Sequence, residues 1–438
     1  MKPLLNTNVF LISNKDTFRK WIKGEDIVKV SPVLGKERIL TIDIIRGFAL
    51  FGIFLVNMPS FHSAEFMKSM YGFEPVYTGL DYWLDIFFTL FIDMKFFTIF
   101  SFLFGLGFYI FISRAEMKGL RATSLFVRRM LALLFFGFVH LIALWFGDIL
   151  HTYALAGLFL LLFYKRKITT MLIWAGSLLL VYNAFNSLTL LMPNWLLEEI
   201  EVSTAAMESG ISEYVGVYQN AGYLEWVLFR LGAELPMILL NIIPAMVPVL
   251  AMFLIGLAAG KAGVFQDVMK HLQFLKKVRL ITLLISIPLV ILLALFTLGI
   301  MDWGVKQSYV ILVLTSISSI PLCLFYIAGL TLLLRNEKWQ KRLRMLGFTG
   351  QMALTNYLFQ TIISIGIFVG FGFYGNISLV MGTIICLVIF AGQMVISTLW
   401  LKKFRFGPFE WLWRSVTYLK FQPLKKKSMN MEKQLENV

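Results

Sequence analysis

Charged residues are scarce in this sequence, and so are cysteine and histidine. Asp, Glu, Lys and Arg make up 15% of the 438 residues, well below the roughly 25% of soluble domains. Both cysteines, Cys323 and Cys386, lie in apolar runs, which argues against a disulfide framework and a cysteine-based metal site. No Walker loop, dinucleotide-binding glycine fingerprint, nucleophile elbow or zincin motif is present. These absences argue against a soluble nucleotide-binding or disulfide-stapled protein.

Apolar residues are abundant instead, at 58% of the chain with 42 phenylalanines. They form repeated runs of about 18 residues or more, the length that a transmembrane helix needs. The sequence therefore predicts an all-α, polytopic membrane protein of about ten transmembrane helices. We expect these spans at 40–61, 86–112, 130–147, 149–164, 168–192, 237–259, 280–300, 308–334, 351–373 and 379–401. The third and fourth are short and nearly continuous, as tilted or partly re-entrant segments would be.

The net charge of +15 is concentrated in short clusters that follow every even-numbered span, whereas acidic residues follow the first and fifth spans. The positive-inside rule then places both termini in the cytoplasm. The predicted organisation is a cytoplasmic arm at 1–39, a helical bundle at 40–403 and an interfacial segment with a basic tail at 404–438. Basic clusters in such loops contact anionic lipid, so membrane lipids are the expected partners and nucleic acid is not.

The longest stretch between spans, 193–236, is acidic and predicted to be extracytoplasmic. Its aromatic residues Tyr214, Tyr218, Tyr223 and Trp226 favour an interfacial helix with an aromatic belt over a lid above a cavity. After the last span, 406–414 is amphipathic, and Glu410 and Arg414 are spaced to pair on one helix face.

Several polar residues fall inside the predicted spans, where a charge costs about 2.5–3.5 kcal/mol on insertion scales. Asp43 and Arg46 are three residues apart on one helix face, and Asn57 lies further along the same span. Lys95 lies well inside the second apolar run, beside Asp93. Each group is a candidate substrate-binding site. The alternatives are an interfacial ion pair for Asp43 and Arg46, and a structural salt bridge from Lys95 to Asp148.

The third candidate group contains His140, Asp148, His151 and Tyr153. A carboxylate beside a histidine can orient the imidazole as a general base, so His140, Asp148 and His151 are the candidate catalytic residues. Tyr153 is a candidate substrate contact. Two histidines and one aspartate are weak grounds for a metal site, and none is expected. A His–Asp hydrogen bond between helices is the structural alternative.

A polar stripe opens the ninth span and includes Asn356 and Gln360. These side chains could bind substrate, or they could form hydrogen bonds between helices. The remaining histidines, His62 and His271, are expected at the surface, although His62 stays a weak candidate.

The order of these motifs resembles the YeiB-like bacterial membrane proteins (domain of unknown function 418). The resemblance rests on Asp43-x-x-Arg46-Gly47 with Asn57, Lys95-Phe, His140 with Gly147-Asp148, Gly350-x-Met-Ala-Leu-Thr355-Asn356-Tyr357 and Gly407-Pro408-x-Glu410-Trp-Leu-Trp413-Arg414. These motifs extend over about residues 40–415. The resemblance implies a multi-pass protein of the bacterial plasma membrane.

The opening Arg-Gly…Asn pattern is also similar to transmembrane acyltransferases, such as the heparan glucosaminide acetyltransferases and the bacterial sugar O-acyltransferases. That similarity implies transfer of an acyl group from a cytoplasmic donor to an extracytoplasmic hydroxyl, with an essential histidine. Acyl-CoA is then the expected co-substrate, a small molecule or glycan is the acceptor, and no bound cofactor is expected. This chain departs from those enzymes in having its best-placed histidine, His140, in the third span.

Two other functions stay open from the sequence. A transporter of a small anionic solute could use the same buried charges, with Pro236, Pro244 and Pro248 breaking the sixth span for gating. A scaffold or sensor without chemistry would use the polar residues for packing alone. The oligomeric state cannot be predicted from these residues.

Overall fold

The computed structural model describes residues 39–70, 76–205 and 208–426. The predicted cytoplasmic arm up to residue 38 and the end of the basic tail lie outside this range. The described residues form helices joined by short turns, and the contact nearest to a sheet is one isolated antiparallel bridge between Phe404 and Lys425. Within these ranges nine helical stretches are long and apolar enough to cross a membrane, and Leu150–Leu162 is a shorter apolar helix. The prediction of an all-α, polytopic membrane protein is confirmed, whereas its orientation stays a prediction.

The helices are numbered here in chain order. The first half contains α1 (Leu40–His62), α2 (Glu65–Met70), α3 (Gly79–Phe91), α4 (Lys95–Met117), α5 (Ala122–Ala143), α6 (Leu150–Phe159), α7 (Ile168–Ser187), α8 (Asn194–Ala205), α9 (Glu208–Asn220) and α10 (Tyr223–Ala233). The second half contains α11 (Leu235–Lys261), α12 (Leu272–Thr297), α13 (Gln307–Leu333), α14 (Glu337–Arg342), α15 (Arg344–Gln351), α16 (Ala353–Ile365), α17 (Leu379–Lys403) and α18 (Pro408–Tyr418). A single-turn π-helix, Gly366–Gly370, extends α16. One hydrophobic core joins α1, α4, α5, α6, α11, α16 and α17.

The second predicted span is a broken helix. The apolar stretch Gly79–Met117 is interrupted between α3 and α4, where Met94 has a left-handed backbone (φ 61°). A break releases backbone carbonyls that lipid cannot satisfy. Lys95, which is fully buried, donates from Nζ to the Thr89 carbonyl at 2.6 Å, and the Tyr326 hydroxyl donates to the Phe91 carbonyl at 3.2 Å. Lys95 therefore caps the end of α3, where the helix dipole favours a cation.

The sixth predicted span is not broken. Helix α11 is continuous from Leu235 to Lys261, with Pro244 and Pro248 inside it and Pro236 in its first turn. Proline is tolerated in the first turn because the missing N–H has no helical partner there. The prediction that these prolines divide the helix is wrong.

Glycines allow α1 and α15 to pack backbone against backbone. A Cβ atom added at Gly350 would collide with the carbonyl oxygen of Asp43, and one added at Gly47 would collide with the carbonyl oxygen of Leu346. Small residues at such crossings are typical of membrane helix pairs. This contact fixes the start of α1 against the segment that leads into α16.

The segment between α7 and α11 is folded around a buried ion pair. Glu234 accepts hydrogen bonds from the hydroxyls of Tyr214 and Tyr218 and pairs with Arg230 Nε at 2.7 Å. Tyr214, Tyr218 and Trp226 pack with Tyr374 in one buried cluster, whereas Tyr223 is exposed. Burial raises the pKa of Tyr218 well above its ordinary value of 10.0, so its hydroxyl stays a donor. The prediction of an aromatic belt is therefore wrong for the three buried residues.

The same segment is attached to the end of α5. Arg230 Nη2 donates to the Leu141 carbonyl at 3.0 Å, and the Tyr223 hydroxyl donates to the Ala143 carbonyl at 2.7 Å. The last carbonyls of a helix have no partner within it, so these two side chains complete the C-terminus of α5 directly after His140.

Candidate functional site

His140, Asp148 and His151 form one buried cluster. His140 lies in the last turn of α5, Asp148 in the following loop and His151 at the start of α6. Asp148 Oδ1 lies 2.9 Å from His140 Nδ1, and Asp148 Oδ2 lies 2.8 Å from His151 Nδ1 and 3.0 Å from the His151 backbone nitrogen. The side chain of Asp148 is fully buried, as are both imidazoles to within 2%. The sequence prediction placed these three residues together, and the structure does the same.

Gly137 makes room for this cluster. A Cβ atom at this position of α5 would lie 2.5 Å from the His151 backbone nitrogen and 3.0 Å from Asp148 Oδ2, which is closer than non-bonded atoms approach. The absence of a side chain lets the start of α6 approach α5 closely enough for one carboxylate to reach both rings.

The hydrogen-bond pattern assigns the protons of the two imidazoles. Asp148 accepts from three nitrogens, as an ionised carboxylate does, so each Nδ1 carries the proton that it donates. In the neutral rings, each Nε2 is then an acceptor. Thr361 Oγ1 lies 2.9 Å from His140 Nε2, and Thr152 Oγ1 lies 3.2 Å from His151 Nε2. Both hydroxyls donate, and the result is a chain of hydrogen bonds from Thr361 to Thr152 through Asp148.

Tyr153 does not join this chain. Its hydroxyl lies 2.6 Å from Ser101 Oγ and 3.3 Å from the Phe97 carbonyl oxygen, both on α4. The predicted role of Tyr153 in orienting substrate beside His140 therefore has no contact to support it in this structure.

The predicted site residues of α1 and α4 lie elsewhere in the bundle. Arg46 pairs with Asp43 at 3.0 Å, with Asp43 buried and the Arg46 side chain 26% exposed. Asn57 is half-buried on the same helix, and no hydrogen bond joins it to His140, Asp148 or His151 in the described part of the chain. The alternative of a Lys95–Asp148 salt bridge is wrong, because Lys95 caps α3 and Asp148 serves the two histidines.

Asn356 and Gln360 connect α16 to α17. Asn356 Nδ2 donates to Ser397 Oγ at 3.0 Å and to the Thr349 carbonyl at 3.1 Å, and Gln360 Nε2 donates to Gln393 Oε1 at 3.0 Å. These contacts correspond to the alternative of hydrogen bonds between helices. They hold α16, the helix that carries Thr361, and so fix the position of Thr361 relative to His140.

Glu410 fixes the start of α16. Its carboxylate accepts from the Thr355 backbone N–H at 3.0 Å and from the Thr355 hydroxyl at 2.5 Å, in the first turn of α16, where backbone N–H groups have no helical partner. The predicted Glu410–Arg414 pair is not the main contact of this carboxylate. The Arg414 guanidinium lies over the Phe406 ring, 4.6 Å from its centroid.

A cationic group lies in the first half of α5, in the basic cluster that follows the second predicted span. The Arg129 guanidinium lies 3.5 Å from the centroid of the Trp413 ring and 5.2 Å from that of Phe111. No ion pair with a carboxylate is found for Arg129 within the described ranges, and the positive charges of Arg46 and Arg414 act on it. The basic cluster after the second span is the sequence signal for this charge, whereas its contact with Trp413, 284 positions away, could not be read from the sequence.

His62 is a second residue whose environment the sequence did not predict. It is buried at 2% exposure, its ring packs against Phe368 at 5.5 Å between centroids, and neither ring nitrogen has a hydrogen-bond partner among the described residues. The expectation of a surface residue is wrong for His62, while His271 is half-buried. The sequence around His62 gave no sign that Phe368 and Gly382, from the distant end of the chain, lie against its ring.

Metal ligation is not indicated by this geometry. In residues 39–70, 76–205 and 208–426, no group of three or more His, Cys, Asp or Glu side chains is arranged to hold an ion. Each Nδ1 of the cluster is directed at Asp148, which is the geometry of an orienting carboxylate.

Fold and cluster together define a polytopic membrane protein with a buried His–Asp–His group. Residues 259–420 match the family described as "Protein of unknown function (DUF418)". The chain is 36% identical over 412 residues to "Uncharacterized protein YxaH" of Bacillus subtilis (strain 168), covering 91% of this chain and 99% of YxaH. The chain therefore belongs to the DUF418 family of YeiB-like membrane proteins.

Two further relatives have similar coverage. The "Uncharacterized 39.9 kDa protein in amylase 3'region" of Bacillus acidopullulyticus is 30% identical over 396 residues, covering 90% of this chain and 98% of that protein. "Uncharacterized protein YeiB" of Escherichia coli (strain K12) is 27% identical over 403 residues, covering 87% of this chain and 96% of YeiB. No solved structure matches the chain.

Proposed function

We propose that this protein is a membrane acyltransferase of the bacterial plasma membrane. It would move an acyl group from a donor such as acyl-CoA, on the cytoplasmic side, to a hydroxyl acceptor on the extracytoplasmic side. The observation that carries the proposal is the single carboxylate of Asp148 shared by His140 and His151 at 2.9 and 2.8 Å.

This arrangement prepares an imidazole for base catalysis. Asp148 holds the proton on Nδ1 of His140 and leaves Nε2 as the acceptor that can take a proton from a hydroxyl. The buried carboxylate then stabilises the imidazolium that forms, as in Asp–His pairs of hydrolases. Acyl transfer to an alcohol needs such a base, because an alcohol is a weak nucleophile until its proton is removed.

The cationic group around Arg129 supports a phosphate-bearing donor. Arg129 and His140 are both on α5, eleven positions apart, which corresponds to about 16 Å of helix. Arginine is suited to phosphate recognition, and the positive charges of Arg46 and Arg414 lie close enough to act on Arg129. A donor that carries phosphates at one end of a long arm and a thioester at the other, as acyl-CoA does, fits this separation.

A transporter of a small anionic solute is the second candidate. The broken helix at Met94 and the buried Lys95 favour it, because discontinuous helices often form the binding sites of transporters. Lys95 already caps α3 through the Thr89 carbonyl, so its charge has a structural role. Helix α11 is continuous, so the broken helix predicted there for gating is absent. The acyltransferase proposal is the better supported one for that reason.

The test uses the full-length protein in lipid nanodiscs with radiolabelled acetyl-CoA as the donor probe. We expect release of free CoA by the native protein, and a loss of about 10⁴-fold for Asp148→Asn, the size seen when an orienting carboxylate becomes an amide. Glu337→Gln, a change at a side chain that is 83% exposed, is the matched control and should keep full activity. If the native protein neither binds acetyl-CoA nor releases CoA from it, the proposal is wrong. Solute flux in proteoliposomes under the same conditions would then favour the transporter.

A further inference from the structure

We infer that Thr361 is a catalytic nucleophile and carries the acyl group as an ester during transfer. This inference rests on the proposed acyltransferase function and adds a covalent intermediate to it. Its basis is the contact of Thr361 Oγ1 with His140 Nε2 at 2.9 Å, between residues 221 positions apart in the chain. Together with the 2.9 Å contact of His140 Nδ1 with Asp148 Oδ1, it forms a hydroxyl–imidazole–carboxylate triad, the arrangement that activates a hydroxyl nucleophile.

The direction of the hydrogen bond is the one that a nucleophile needs. Because Asp148 fixes the His140 proton on Nδ1, Nε2 can only accept in the neutral ring, and the Thr361 hydroxyl must donate to it. The proton that leaves on attack is therefore already directed at its base. The Thr361 side chain is fully buried, which keeps water away from an ester formed there.

Thr361 is distinguished from Thr152, the other threonine of the cluster. Thr152 directly follows His151 in the chain, and its hydroxyl lies 3.2 Å from His151 Nε2, so that contact is local and longer. Thr361 is on α16, which is held independently by Glu410 at its start and by Gln393 at Gln360. A separate helix that is tied at two points can hold a nucleophile at a fixed distance from its base.

Donors without a partner lie around the triad. Trp145 packs against His140 with ring centroids 6.4 Å apart, and its indole N–H has no hydrogen-bond partner in the described structure. Ser364, one helical turn after Thr361, is fully buried with its hydroxyl also unpartnered. Buried polar groups are rarely left unpaired, and donors near the nucleophile are what the oxyanion of a tetrahedral intermediate requires.

The transfer then has two balanced halves. In the first, Thr361 Oγ attacks the thioester carbonyl and its proton passes to His140 Nε2. The C–S bond breaks, and the leaving thiolate takes that proton. In the second, the acceptor hydroxyl gives its proton to His140 Nε2 and its oxygen attacks the threonine ester. The ester C–O bond breaks, and the Thr361 oxygen recovers the proton. No oxidation or reduction occurs.

The experiment is trapping of the intermediate. Full-length protein in nanodiscs is incubated with radiolabelled acetyl-CoA without added acceptor, denatured, and digested for mass spectrometry. We expect a label that survives neutral pH, is released by alkaline hydroxylamine, and maps to Thr361. Thr361→Ala should lose the label and transfer activity, and Thr361→Ser should retain both. Thr331→Ala, a buried threonine whose hydroxyl bonds only the Ile327 carbonyl of its own helix, is the matched control and should label as the native protein does.

The outcomes separate this inference from the proposal beneath it. If the native protein releases CoA from acetyl-CoA but Thr361→Ala is labelled and active to the same extent, the inference is wrong and the acyltransferase proposal stands. A label that maps to His140 and is lost at neutral pH, as an acyl-imidazole would be, also overturns it. If the native protein shows no reaction with acetyl-CoA, both are wrong. Folding of each variant is checked by its elution in size-exclusion chromatography.

Discussion

At the scale of single residues, buried carboxylates in this protein are held by several donors each. Asp148 accepts from three nitrogens, and Glu410 accepts from the backbone and hydroxyl of Thr355. Loss of these donors would leave a buried charge unpaired and lower the free energy of unfolding by several kcal/mol. Replacement of either carboxylate is thus expected to affect folding as well as any chemistry.

Glu410 is predicted to make stability depend on pH. Burial raises the pKa of Glu410 above its ordinary value of 4.5, and this outweighs the opposing effect of the hydrogen bonds from Thr355. A carboxyl with a raised folded-state pKa contributes stability that is complete below the unfolded pKa and is lost as pH rises through the folded one. The native protein should therefore lose its advantage over Glu410→Gln as pH rises above 4.5.

The measurement is the thermal unfolding midpoint of both proteins in detergent from acidic to neutral pH. At acidic pH the variant should be less stable by about 0.5–1.5 kcal/mol, the worth of one hydrogen bond, because the glutamine NH2 group cannot accept from the Thr355 hydroxyl as a carboxyl oxygen does. A difference that grows with rising pH would contradict the prediction.

Sequence reasoning at this scale succeeded where the partners are close in the chain. Asp148 and His151 are three residues apart in the sequence, and the structure pairs them at 2.8 Å, with Asp148 in the loop that precedes α6. Thr361 could not be found in this way, since it reaches His140 from 221 residues away. The environment of His62 also depends on distant contacts, such as Phe368.

At the scale of elements, the contact between α1 and α15 depends on glycine. A methyl group at Gly350 would meet the Asp43 carbonyl oxygen and the Gly47 nitrogen, both of which are backbone atoms that cannot turn away. We expect Gly350→Ala to destabilise the protein by about 1–3 kcal/mol, the cost of overpacking. Gly329→Ala, where a Cβ atom meets nothing within 4 Å, is the control. Equal thermal midpoints for the two variants in detergent would contradict this expectation.

The break between α3 and α4 gives a second prediction at this scale. Lys95→Met keeps the length of the side chain but removes the donor to the Thr89 carbonyl. An unpaired buried carbonyl costs about 1–3 kcal/mol, so the thermal midpoint should fall. The exposed Lys338→Met should leave it unchanged. A Lys95→Met protein as stable as the native one would show that the Lys95 ammonium group does not stabilise the break between α3 and α4.

Element boundaries were predicted unevenly, and the reasons are local. Apolar length alone located α1, α13 and α17 to within two residues, whereas α12, predicted to begin at 280, begins at Leu272 and includes Lys276, Lys277 and Arg279. The third span was placed at 130–147, but α5 begins at Ala122 and ends at Ala143, so Arg128 and Arg129 are helical. The left-handed Met94 carries no signal in sequence, since methionine rarely adopts that conformation.

At the scale of the whole molecule, the alternation of basic and acidic loops predicts which side of the membrane each loop occupies. Cysteine labelling can test this, because both native cysteines are buried. We expect Asp302→Cys, between α12 and α13, to react in intact cells with a membrane-impermeant maleimide. Lys270→Cys, between α11 and α12, should react only after permeabilisation. Labelling of both positions in intact cells would contradict the predicted orientation.

The broken second span also has a consequence for biogenesis. The Phe91 carbonyl depends on the hydroxyl of Tyr326, which is 235 residues further along the chain. A ribosome synthesises that partner only after six further helices longer than 18 residues, counting α4, have begun to emerge. Until α13 is inserted, water or a temporary continuous helix must provide a hydrogen bond to the Phe91 carbonyl. The final conformation of the α3–α4 break, in an early segment, is therefore set only when the later helix α13 packs against it.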